Sequence, residues 1–321
     1  MARFRDSEEL GPTLDAVAER LDISATAVEK DYWVSDVLRV LVAEFRDDFI
    51  FKGGTSLSKG FGIVERFSED IDLLVLPHGR GRGAVDKLMK AMGDTAAAGV
   101  GGEACRVGGA ESGRHRSFAV SYPATRQATA LIATSVLLEM GVRGGSHPHE
   151  PVAIGSLLGT ALEQAGTDLS EYEDLAPFDV LVLHPARTLL EKFVHIHELA
   201  LRLAADEEVQ PDRRSGRHFY DVHELLGDER VLDLLADHDQ TVEVIASIDE
   251  ITRTYFGGSE AASVRPDGGF AISPAFDPTT STSARLRAAY EATMPDLYFG
   301  SAPLPRWGEI CQRVADNAAF L

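Results

Sequence analysis

Residues 70–76 read Asp-Ile-Asp-Leu-Leu-Val-Leu, two carboxylates alternating with isoleucine at the mouth of an apolar run. On a strand, residues two apart share a face, so Asp70 and Asp72 project together while Ile71 turns to the core. Carboxylates side by side repel unless a cation lies between them, and Mg²⁺ takes such oxygens together with phosphate. Upstream runs Phe51-Lys52-Gly53-Gly54-Thr55-Ser56-Leu57-Ser58-Lys59. A Gly-Gly turn lets backbone N–H groups approach a phosphate chain, with the Thr55 and Ser56 hydroxyls in reach. A phosphate cradle beside a carboxylate dyad suits nucleotidyl transfer.

Periodicity places helices over 13–22 and 25–45, the second with Trp33, Val37, Leu41 and Phe45 on one stripe. Ser24 or Thr26 caps it, with Glu29 completing a Thr-x-x-Glu box. A strand over 49–52 delivers the glycine turn, a helical turn follows over 56–63, and 71–76 is the second strand. A helix covers 85–92, and glycine-rich sequence through Gly113 marks a loop or hairpin. Strands follow over 117–122 and 130–140, and Gly144–Pro148 is a linker into a helical second half. There Pro185 opens a helix over 186–205, with Leu189, Phe193, Ile196, Ala200 and Leu203 along one face. Further helices span 217–226, 231–237, 240–255, 284–293 and 307–320, with a loop over 266–282. The expected fold is α/β, a small mixed sheet with flanking helices (1–150) followed by a mainly helical C-terminal domain (151–321).

The glycine turn and Asp-x-Asp pair resemble the DNA polymerase β-type nucleotidyltransferase superfamily. The wording of 51–59, Arg66-x-Ser68-x-Asp70-x-Asp72, and the upstream Glu29-Lys30-Asp31-Tyr32-Trp33-Val34 are similar to the AbiEii/MenT toxin family over about residues 25–230. The resemblance implies Mg²⁺ on Asp70, Asp72 and Glu139, the last closing the run Val136-Leu-Leu-Glu139. It also implies that Lys192, within Leu189-Leu-Glu-Lys192-Phe, binds nucleotide phosphate and offsets charge on the leaving group. Asp221, within Arg217-His-Phe-Tyr-Asp221, would hold that lysine, position the nucleotide or help deprotonate the acceptor. Lys52, Gly53, Gly54, Thr55, Ser56, Lys59, Arg66, Ser68 and Arg217 complete the nucleotide-binding set. The active site is expected in a cleft between the domains. The implied reaction is attack of an acceptor hydroxyl on the α-phosphate of an NTP, the acceptor an RNA such as the tRNA 3′ end. A separate AbiEi-like antitoxin chain would be the partner.

Bland readings accompany these. A lysine on a helix is usually a solvated surface residue, and Arg217 with Asp221 could be a simple i,i+4 pair. Ser68 more often caps a turn. His195 and His197 face different ways, and no histidine has a partner at metal spacing. The 321 residues carry a formal net charge of −20, which disfavours broad contact with nucleic acid. Only restricted basic groups, such as Arg80/Arg82/Lys87/Lys90, Arg114/Arg116 and Arg213/Arg214/Arg217, could form a binding strip. Acidity instead suits a basic partner or a non-RNA acceptor, so protein or small-molecule modification stays open, as does a non-catalytic binding role. No window is apolar enough to span a membrane, and two cysteines far apart fit a reducing cytoplasm.

Overall fold

The computed structural model describes residues 2–68, 70–129, 132–206, 208–212, 215–256 and 264–321, the side chain of Phe256 excepted. Ala130 and Leu131, at the head of one expected strand, and Arg213 and Arg214 lie outside these residues. Two compact units divide the chain: Met1–Phe61 with Ser68–Leu183, and Gly62–Phe67 with His184–Leu321.

The first unit runs α1 (Leu10–Leu21), α2 (Ala25–Phe45), β1 (Phe49–Lys52), α3 (Gly53–Lys59), β2 (Asp70–Val75) and α4 (Arg82–Val100). It continues β3 (Ala104–Glu111), β4 (His115–Ser121), β5 (Ser135–Gly141), β6 (His149–Ile154), α5 (Leu157–Gln164) and β7 (Phe178–Leu183). The strands form one seven-stranded sheet in the order β3-β4-β5-β2-β1-β7-β6. It is mixed, because β2 pairs parallel with β5 and β1 parallel with β7 while the other neighbours are antiparallel.

Alternation along the central strands sorts their side chains by face. Phe49, Phe51, Ile71, Leu73, Val75, Val136, Leu138 and Met140 join the main core with Val37, Leu41, Met89 and Met92 of α2 and α4. Ile50 and Leu74 belong to a separate small cluster with Leu183. Asp70, Asp72 and Glu139 share the parity of that second face, so the carboxylates stand opposite the helical layer.

Several elements escaped the sequence reading. The helix expected over 85–92 runs from Arg82 to Val100, since its alanine-rich second half supports helix until Gly101 ends it at φ 73°. Strand β6 arises just after the expected linker, and β7 lies in the half expected to be helical; helix α5 between them had no counterpart in the sequence reading. Edge strand β6 contains Pro151, which weakens its signal as a strand, and the 144–148 stretch joins two strands of the same sheet.

Residues 29–33 tie the unit together. Ser24 alone caps α2, its hydroxyl accepting from Ala27 N at 3.2 Å. Glu29 is not part of a capping box: its buried carboxylate accepts from Thr125 N (2.6 Å), Thr125 Oγ1 (2.8 Å) and Arg126 N (3.0 Å). Lys30 is fully buried, its ammonium donating to the Ala133 and Ser135 carbonyls at the entry to β5. Asp31 receives Leu157 N at the start of α5 (2.7 Å), Tyr32 donates to Asp174 (2.6 Å), and Trp33 stacks on Tyr122.

The second unit contains α6 (Pro185–Ala205), α7 (Ser215–Leu225), α8 (Glu229–Ala236), α9 (His238–Phe256), α10 (Ser281–Leu297) and α11 (Trp307–Asp316). The expected stripe Leu189, Phe193, Ile196, Ala200 and Leu203 is buried. Segment 62–67 is held by backbone bonds from Phe67 N to Leu297 O (2.8 Å) and Phe299 N to Glu65 O (3.1 Å). Tyr220 on α7 also accepts from Glu65 N at 3.0 Å.

Replacing Glu29 with alanine strands three donors of the 125–126 turn. The expected loss is about 2–4 kcal/mol, with a smaller loss for Glu29→Gln, read from urea midpoints. An alanine variant as stable as wild type would contradict the tethering role.

Candidate active site

Strand register assembles the first group of polar residues. Lys52 pairs with Asp72 across β1 and β2, Asp72 with Glu139 across β2 and β5, and Glu139 with Ser117 across β5 and β4. Four adjacent strands thus carry Lys52, Asp72, Glu139 and Ser117 in one row, with Asp70 one step along from Asp72. Ser117, whose hydroxyl lies 3.4 Å from the His115 ring, had no recognisable motif and emerges only from the pairing.

The glycine turn meets this row directly. Gly53 has φ +79°, a left-handed conformation that suits glycine, and a Cβ built there would lie 2.1 Å from Asp72 Oδ2. The Asp72 carboxylate therefore rests over the main chain at the start of α3. Thr55 and Ser56 are almost fully buried. The Thr55 hydroxyl donates to the Asp70 carbonyl (2.6 Å) and lies 2.8 Å from Ser68 Oγ, while the Ser56 hydroxyl donates to the Gly53 carbonyl (2.9 Å). The Thr55 hydroxyl braces the turn against β2, and the Ser56 hydroxyl closes the turn on itself. Lys59 is also engaged within the unit, its ammonium on Asp31 and on Ser35 Oγ at 2.8 Å.

Carboxylate oxygens on one face suit a hard cation. Among the described residues, no three His, Cys, Asp or Glu side chains are gathered closely enough to hold a metal ion by themselves. The donor set fits Mg²⁺ in the way that ion is commonly bound, through one or two carboxylates completed by phosphate oxygens and water.

The second group lies in the helical unit. Asp221, wholly buried on α7, receives a two-pronged contact from Arg66, Nε to Oδ1 at 2.6 Å and Nη2 to Oδ2 at 2.8 Å. Lys192 on α6 binds the same carboxylate, Nζ to Oδ2 at 2.7 Å. Burial alone would raise the Asp221 pKa, but the charges and hydrogen bonds of Arg66 and Lys192 outweigh it and hold the carboxyl well below its ordinary range. Lys192 is shifted down, first by burial, with Asp221 opposing and the charges of Arg66 and Arg217 adding to the fall. Two buried cations share one carboxylate, and the excess positive charge favours an anion such as a nucleotide phosphate. Asp221 is thus committed to partners 155 and 29 positions away in sequence, a pairing that its spacing from Arg217 did not disclose.

Removing that carboxylate charge has a pH-dependent consequence. A depressed carboxyl pKa supplies stability that is complete above the unfolded-state value near 3.9 and is lost as pH falls through the folded value. Asp221→Asn should lose about 3–5 kcal/mol at neutral pH, with the gap from wild type narrowing below about pH 4. Denaturant titrations at both pH values check this, and a gap independent of pH would contradict the charge assignment.

A family model described as "Nucleotidyl transferase AbiEii toxin, Type IV TA system" matches residues 37–313, well past the last motif legible near residue 230. No curated protein matches the chain significantly. Among solved structures it is similar to MenT4, nucleotidyltransferase toxin Rv2826c from Mycobacterium tuberculosis H37Rv, at 20% identity and a TM-score of 0.47, covering 95% of this chain and 98% of that one. No helix among the described residues is long and apolar enough to cross a membrane. The chain belongs to the AbiEii family of nucleotidyltransferase toxins of type IV toxin–antitoxin systems.

Proposed function

We propose that this nucleotidyltransferase moves a nucleoside monophosphate from an NTP to an RNA hydroxyl, the tRNA 3′ end being the favoured acceptor, in a Mg²⁺-dependent reaction that blocks translation. The observation that carries the phosphate chemistry is Asp72 resting over Gly53, in register with Glu139 and Lys52. Support for RNA comes from the motif resemblance, and an AbiEi-like protein is the antitoxin the resemblance suggests.

In this reading the acceptor oxygen attacks the α-phosphorus as the bond to the β-phosphate oxygen breaks, releasing pyrophosphate. Asp70, Asp72 and Glu139 would hold Mg²⁺, which when bound offsets charge on the phosphates and lowers the pKa of a coordinated hydroxyl. Main-chain N–H groups at Gly53 and Gly54 would approach the phosphates, and any side chain at 53 would displace the Asp72 carboxylate. Lys52 opposes Asp72 and limits repulsion among the carboxylates. By the motif resemblance Lys192 would offset negative charge on the departing pyrophosphate, and within its own unit Asp221 fixes the ammonium.

The net charge of −20 favours a second reading, transfer to a protein or small molecule. Incubation with total tRNA, Mg²⁺ and each α-³²P-NTP separates them. Labelled tRNA is the expected product; label in protein or a small molecule instead would discard the RNA acceptor and keep the transfer chemistry. Asp72→Asn and Lys192→Met should each lower kcat by about 10²–10³-fold. Full transfer by either variant, or in excess chelator, would contradict the assigned roles.

A further inference from the structure

Lys192 has a second polar neighbour whose part in the site has not been assigned. Its Nζ lies 3.3 Å from Nδ1 of His218, while another of its N–H groups reaches Asp221 at 2.7 Å. An ammonium has donors only, so the contact requires a bare lone pair on Nδ1 and, in the neutral ring, the proton on Nε2. The His218 ring also packs on His195, edge to face at 4.8 Å between centroids. We propose that neutral His218 is a positioning residue for Lys192, holding the ammonium at Asp221, and that protonation of the ring releases it. This rests on the phosphate role given to Lys192 under the proposed function.

The electrostatic surroundings agree with the geometry. Lys192 and His195 face the ring from α6, Asp221 and Arg217 share its own helix, and Arg66 enters from segment 62–67. Helices α10 and α11 pack on α7 through apolar contacts such as Trp307 on Phe219, and their Arg313 goes to His223. Burial, then the charges of Lys192 and His195, hold the His218 pKa well below its ordinary value, with Asp221 opposing. A second proton would place an imidazolium against an ammonium, next to a guanidinium, with one carboxylate to serve all three. The lysine is the group that can swing away, on its flexible stem. The pair would therefore make activity fall in acid for a reason separate from carboxylate titration.

Two measurements on the full chain test this. Long-range ¹H–¹⁵N correlation of the imidazoles should show His218 neutral, protonated on Nε2, throughout the range where a free histidine charges, near pH 6.5. A proton on Nδ1, or a charged ring at neutral pH, overturns the proposal and needs no variant. In pH–rate profiles of transfer, His218→Leu should lower kcat about 10- to 100-fold. His218→Asn, whose amide oxygen can stand in for Nδ1, should recover most of that loss and fall less steeply than wild type in acid, below the range near pH 6.5 where a free histidine charges. Asparagine no better than leucine, or a wild-type acid limb in the asparagine variant, also overturns it. If wild type transfers nothing at any pH, the functional reading fails, and the imidazole spectra still decide the Lys192 contact.

Discussion

The pairing register of β1, β2 and β5 is the constraint on which the candidate site depends. It aligns Lys52, Asp72 and Glu139 across three neighbouring strands. A slip by one residue on β2 would send Asp70 and Asp72 into the apolar layer and turn Ile71 and Leu73 out of it. The cost of burying those charges makes the register that keeps the core intact also the one that presents the carboxylates. Folding and chemistry thus make the same demand on the sequence.

Conserving that register takes polar work away from the site. Glu29, Lys30 and Asp31 are oriented by α2 into three different loops and strands, and they anchor the 125–126 turn, the entry to β5, and the start of α5. The β5 anchor bears directly on Glu139, four residues beyond Ser135. Lys59 is joined to the same helix through Asp31 and Ser35, which fixes the far end of α3 and with it the glycine turn. Glu29, Lys30, Asp31 and Lys59 are therefore scaffold for chemistry assigned to Lys52, Gly53 and Gly54 between them and to Asp72 and Glu139 beyond.

Local pattern made the dyad strand and the glycine turn legible, because period-two alternation and a Gly-Gly pair are both encoded within a few residues. Glu139 could be placed on a neighbouring strand, but its exact partner depended on pairing that no local signal encodes. The Arg66–Asp221–Lys192 cluster was less accessible still. Its members could be named from motif resemblance, yet the sharing of one carboxylate by two cations depends on how α6, α7 and segment 62–67 pack. The same holds for His218, whose neighbour Lys192 lies 26 positions away. Strand β6 was hidden by Gly144–Pro148 and Pro151, punctuation that reads as linker whenever an edge strand is not suspected, and β7 was missed inside a half read as helical.

Asp70, Asp72, Glu139 and Lys52 are brought together by sheet register, and Arg66, Lys192 and Asp221 by helix packing. The claim most central to the account is that the Asp72 face binds a metal together with nucleotide phosphate. Mn²⁺ binding followed by electron paramagnetic resonance, with and without an NTP analogue that cannot be cleaved between the α- and β-phosphates, tests it most directly. The account predicts that the analogue tightens Mn²⁺ binding at least about tenfold, and that Glu139→Gln and Asp72→Asn remove the gain. Mn²⁺ binding indifferent to the nucleotide, or unchanged in both variants, would contradict it.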